Sequence, residues 1–143
     1  MENIKIEQLK AASRTITEEH DSQVPAEYSQ LKSLKGVGDY IASEIQLIAY
    51  DVPRPLLDRN MIRIISRVFS FASEKKRPHT DKALWRFAGL LVPSDIDKER
   101  RFNFGVLDLG YLVCSARSPK CTVCPVSSVC DHCGKEELRG WAG

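Results

Sequence analysis

Five cysteines lie between positions 114 and 133, and the chain of 143 residues has no others. Cys114, Cys121, Cys124 and Cys130 are separated by six, two and five residues, and Cys121-Thr122-Val123-Cys124 supplies a tight chelating pair. Four thiolates on so short a loop can enclose a metal centre, and no other feature restricts the C-terminal fold as much. Geometry alone permits either a tetrahedral zinc or a cubane iron–sulfur cluster, since both take four cysteines. Zinc sites usually pair two close CxxC knuckles, and only one close pair stands within this set. Cys133 forms a second CxxC with Cys130. That keeps a zinc or alternative-ligand reading open; otherwise Cys133 is a spare thiol. No apolar run approaches the ~18 residues of a membrane span, and the N-terminus has no secretory signal pattern. The chain reads as soluble and intracellular (cytoplasm or nucleoid, or the nucleus of a eukaryote), where clustered cysteines serve metals rather than disulfides.

The residues before this loop carry helical periodicity and no strand pattern, so the expected fold is all-α. Ile6, Leu9, Ala12 and Ile16 share one face of an amphipathic segment over residues 4–20. Short helical segments follow over 26–33 and 39–50, the second turning Ile41, Ile45, Ile48 and Ala49 inward. Pro53 and Pro55 force an extended crossing, which suggests two parts, residues 1–52 and 53–143. In the second part Asp58 stands at a helix-cap position ahead of Met61, Ile62, Ile65, Val68 and Phe69. Thr80 can cap a helix carrying Leu84, Phe87, Ala88 and Leu91, and a helix over about 97–113 would turn Phe104, Leu107 and Tyr111 inward. Lysine and arginine number 21 against 19 aspartates and glutamates. Bulk charge therefore does not announce nucleic acid, and any basic surface must come from local clusters.

One turn joins two of these segments, Leu34-Lys35-Gly36-Val37-Gly38-Asp39-Tyr40. Glycines two apart allow unusual backbone angles and the close approach of another chain. The helix that starts at Asp39 gathers unpaired N–H groups and a positive dipole end, a ready site for a phosphate.

This ordered set resembles the helix-hairpin-helix of the endonuclease III superfamily of DNA base-excision glycosylases. Leu57-Asp58-Arg59-Asn60 with Arg63 is similar to the family's catalytic-aspartate motif, and the six-two-five cysteine spacing is the one the family uses for a [4Fe–4S] cluster. The resemblance implies a helix-hairpin-helix over 26–50 and a cluster loop over 114–130, with Cys114, Cys121, Cys124 and Cys130 as iron ligands. It also implies phosphate contacts from Leu34, Lys35, Gly36, Val37 and Gly38, and from Arg117 and Lys120 on the cluster loop.

The implied partner is double-stranded DNA with a mismatched or damaged base, and the implied catalytic residues are Asp58 and Tyr40. Asp58 follows Tyr40 by eighteen residues, matching the family spacing. Bifunctional members carry a lysine where this chain has Tyr40, and a phenol cannot form their Schiff base. The resemblance therefore implies a monofunctional glycosylase, with thymine or uracil opposite guanine as first substrate and adenine opposite oxidised guanine as second. Family members extend further at the N-terminus, so part of a six-helix barrel is expected to be missing. That leaves three expectations: a fragment, a protein completed by a second polypeptide or the missing half, or a module that only binds DNA. Such a chain should expose an apolar face beside Ile6, Leu9, Ile45 and Ile48. A zinc-stapled interaction domain is the alternative from another class.

Overall fold

The computed structural model describes residues 2–133, and among them every regular element is helical. The chain divides into two units, Met1–Arg54 and Pro55–Gly143.

In the first unit, α1 (Glu2–Glu19), α2 (Tyr28–Ser33) and α3 (Asp39–Ala49) enclose a small core. Ala12, Leu31, Leu34 and Ala42 are buried there, with Ile16, Tyr28, Val37 and Ile45 packed around them. The Tyr28 hydroxyl donates to Asp39 Oδ1 at 2.8 Å, and Lys32 Nζ meets the same oxygen at 2.8 Å. Burial and the bond to Asp39 push the Tyr28 phenol up to about 12. Burial works against the Asp39 carboxylate, yet the Lys32 and Tyr28 bonds outweigh it and hold Asp39 below its ordinary range.

The buried face of α3 differs from the expected one. Ala42, Ser43, Gln46 and Leu47 are buried, whereas Ile41 and Ile48 are exposed by 41% and 49%; Ile45 is half-buried and Ala49 exposed. Gln46 accounts for the rotation. Its Nε2 donates to the Ala26 carbonyl at 2.8 Å, and its Oε1 accepts from Arg54 Nε at 2.7 Å. A buried amide with both ends satisfied holds that face inward. On α1, Ile6 and Leu9 are exposed, and of the expected face only Ala12 is fully buried, with Ile16 half-buried.

In the second unit, α4 (Arg59–Val68), α5 (Lys82–Leu91) and α6 (Ile96–Leu112) pack around Leu57, Met61, Ile65, Leu84 and Ala88. Stacked rings of Phe71 and Phe87, 4.6 Å apart, close one side. Asp81 caps α5 by accepting from Ala83 N, in place of the expected Thr80. On α6 the buried stripe is Glu99, Asn103 and Gly110, while Phe104 and Tyr111 are exposed and Leu107 is half-buried. Asn103 Oδ1 accepts from the Leu56 backbone N–H at 2.8 Å, and its Nδ2 donates to the Glu99 carbonyl at 3.2 Å. That pair fixes the extended segment leading to Asp58 against α6.

Candidate active site and metal centre

Asp58 ends the extended crossing and caps α4. Its Oδ1 accepts from the backbone N–H groups of Asn60 and Met61, both at 2.8 Å, and its Oδ2 accepts from Asn60 Nδ2 at 2.9 Å. Three donors and the helix dipole thus hold a half-buried carboxylate in one orientation. The chain of bonds continues. Asn60 Oδ1 accepts from Arg63 Nη2 at 2.8 Å, which also donates to the Gly110 carbonyl at 2.6 Å. Arg63 Nε donates to the Cys114 carbonyl at 2.8 Å. An unbroken run of hydrogen bonds therefore links the Asp58 carboxylate to the first cysteine of the loop.

Gly110 belongs to this network through what it lacks. A Cβ there would stand 2.5 Å from Asn60 Cβ, whereas one at Gly105 would meet nothing within 4 Å. Gly110→Ala should cost about 1–3 kcal/mol through overpacking, whereas Gly105→Ala in the same helix should gain up to about 1 kcal/mol. Denaturant unfolding of the two variants checks the contrast. Equal shifts would show that Asn60 yields freely.

The loop after α6 is pinned from α4. Arg67 Nη1 donates to Cys114 Sγ at 3.3 Å and to the Ser115 carbonyl at 2.7 Å, and Nη2 donates to the Ala116 carbonyl at 2.9 Å. Cys130 Sγ donates to the Arg67 carbonyl at 3.6 Å. Two 3-10 turns, Cys121–Val123 and Ser127–Val129, bend the loop so that Cys114, Cys121, Cys124 and Cys130 line one hollow with Ile64 and Val68. Among the described residues no carboxylate lines it, and every described cysteine is a free thiol. Among the described residues no three metal-binding side chains converge closely enough for a single ion. Four cysteine thiols lining one hollow are the donor set that a [4Fe–4S] cluster takes. Cys133 is buried in the same group. Removal from water pushes its thiol up to about 12, with hydrogen bonds to Cys121 and Cys130 adding to the effect.

Comparison with known proteins agrees. Residues 114–130 match the model of the iron-sulfur binding domain of endonuclease III. The chain is 51% identical over 138 residues to a thymine/uracil-DNA glycosylase of Pyrobaculum aerophilum, covering 96% of this chain and 60% of that protein. A solved thermostable thymine-DNA glycosylase superposes with a TM-score of 0.82 at 33% identity, over 90% of this chain and 58% of that one. The chain belongs to the endonuclease III superfamily. An adenine DNA glycosylase of Schizosaccharomyces pombe is 31% identical over 127 residues, 88% of this chain and 27% of that protein. The chain thus spans about 60% of the length of the first of these superfamily relatives.

The hairpin of this superfamily member lies in the first unit. Gly36 has φ +87°, and a side chain there would also press on Gln8 at 3.1 Å, so glycine is required by the fold itself. Gly38 is extended, at φ −91° and ψ −178°, with nothing within 4 Å of a Cβ position. Backbone conformation therefore does not demand glycine at position 38, which corrects the expectation that both glycines serve unusual angles. Lys35 is exposed and Val37 half-buried. Leu34 is 4% exposed, so its side chain anchors the turn in the core. The Tyr40 hydroxyl donates to Glu44 Oε1 at 3.4 Å, one turn along α3. Arg117 and Lys120 are exposed on the cysteine loop. Sequence reasoning missed Arg67; an arginine one turn beyond Arg63 on the same helix was the available signal.

Proposed function

We propose that this protein acts in base-excision repair as a monofunctional DNA glycosylase, hydrolysing the N-glycosidic bond of thymine or uracil mispaired with guanine. The observation that carries the reading is the Asp58 carboxylate, capped, oriented and tied through Asn60 and Arg63 to Cys114. Breaking the glycosidic bond leaves an oxocarbenium-like sugar. A carboxylate fixed beforehand stabilises that charge without reorganising as it develops. The oxygen Oδ2 accepts from Asn60 Nδ2 and has lone-pair capacity left for the cation or for a water.

Extruding the base costs a few kcal/mol, least for a mispair. Helix α3 contains no lysine, and Tyr40 offers no amine, so cleavage through an imine is absent. The cluster, held by Cys114, Cys121, Cys124 and Cys130, supplies a cross-link of the loop that carries Arg117 and Lys120. The partner is duplex DNA in an intracellular compartment. A completing polypeptide, equivalent to the part of the Pyrobaculum relative outside the match, covers the apolar residues Ile6, Leu9, Ile41 and Ile48.

A chimera in which this chain replaces the matching part of the Pyrobaculum enzyme tests the reading. It should release thymine from G·T duplex and leave an abasic site that breaks only with hot alkali, and borohydride should trap no adduct. Release of adenine opposite oxidised guanine instead would move the assignment to the adenine branch. No release of any base would leave a DNA-binding module.

Binding is separable from chemistry. Gly38→Val should keep the fold, since valine adopts extended angles readily, and should weaken duplex binding about tenfold, about 1.4 kcal/mol. Wild-type affinity should fall with salt by a log–log slope of about −0.9 per phosphate contacted. Fluorescence anisotropy at two salt concentrations decides; an unaffected variant would remove the hairpin from the interface.

A further inference from the structure

The fifth cysteine has a place that packing alone does not require. Cys133 is 9% exposed and shares a buried group with Ile64, Val68 and Cys130. It lines the same hollow as the other four thiols. Residues 131–133 are helical, which brings positions 130 and 133 to one face. The pair Cys130–Cys133 then repeats the CxxC spacing of Cys121–Cys124, with its second thiol in the buried group that also takes in Cys130 and Cys121. A buried cysteine among apolar residues can be a small hydrophobe and nothing more. Its place in the hollow that the other four cysteines line sets this thiol beside groups it can replace.

We propose that Cys133 is a reserve ligand of the cluster, able to complete the four-thiolate set in place of Cys121 or Cys130. The inference rests on the reading of Cys114, Cys121, Cys124 and Cys130 as the ligands. In the exchange the Cys133 thiol gives its proton to solvent and its sulfur forms a bond to iron. The bond from iron to the displaced sulfur breaks, and that sulfur takes a proton from solvent. No electron is transferred, and the coordination number is unchanged.

The test measures iron and sulfide per chain in anaerobically purified variants. Cys121→Ser and Cys130→Ser should each hold about four irons, falling about tenfold when Cys133→Ser is added. Cys114→Ser and Cys124→Ser should be empty with or without Cys133. If Cys121→Ser and Cys130→Ser are as empty as the double variants, the proposal is overturned while the ligand set stands. If Cys114→Ser and Cys124→Ser also keep iron, or the wild type holds one zinc, the ligand set itself is wrong and the proposal falls with it. Should the ligand variants not fold, Cys133→Ser alone decides. It should release iron to a chelator about threefold faster than wild type, and equal rates overturn the proposal.

Discussion

Asp58→Asn should lower the rate of base excision by at least about 10²–10³-fold, measured under single-turnover conditions in the chimera, with the protein still folded and bound to DNA. The cap bonds of this side chain can be told apart from its proposed catalytic role. As a cap, Asp58 accepts from the Asn60 and Met61 N–H groups through one oxygen, and an asparagine oxygen does the same. The other oxygen faces Asn60 Nδ2, and there an asparagine would present a second donor to a donor. Asn60 cannot simply turn over to satisfy it, because its own oxygen is held by Arg63. The expected stability loss is therefore about 1 kcal/mol, far too little to explain a loss of several powers of ten in rate. DNA affinity should stay level or rise, since a negative charge near phosphates is removed. A variant that keeps the full excision rate would leave Asp58 as a helix cap and nothing else.

Cys114→Ser should take iron from about four per chain to near zero, and the purified protein from brown to colourless. Cys114 is the end of the loop that α4 grips most firmly. Arg67 reaches its sulfur and two following carbonyls, and Arg63 reaches its carbonyl. The carbonyl bond survives the substitution, so α4 and α6 should stay docked and far-ultraviolet dichroism should change little. DNA affinity should drop, because Arg117 and Lys120 sit between the first two ligands and lose their fixed placement. Wild-type protein that purifies with one zinc, or a Cys114→Ser variant that keeps its iron, would remove the cluster assignment.

These residues also mark what the sequence could and could not reveal. Spacing alone announced the cysteine loop, and the order of hairpin, aspartate and cysteines announced the family. The extended Pro53 and Pro55 crossing is legible because proline acts locally. Apolar periodicity found Met61, Ile65 and Val68 on α4 but misplaced the inner faces of α3 and α6. In both helices the buried stripe is partly polar: Gln46 bonds to Ala26 and Arg54, and Asn103 to Leu56 and Glu99. A polar side chain scores as solvent-facing until its partner is known, and the partner of Asn103 lies 47 positions away. The packing role of Gly110 was illegible for a related reason, since its value lies in the room it leaves for Asn60.

The exposed isoleucines of α3 set a conflict for anyone handling this protein. Ile41 and Ile48 lie two turns apart on one side of the helix, and Ile6 and Leu9 of α1 are bare as well. Raising ionic strength strips a phosphate-bound hairpin from DNA, while strongly hydrated anions such as sulfate drive uncovered aliphatic surface together. Elution from a nucleic-acid column with sulfate should therefore deliver the chain as self-associated material. Chloride at matched ionic strength should release it with less clumping, and light scattering across the two salts would register the difference.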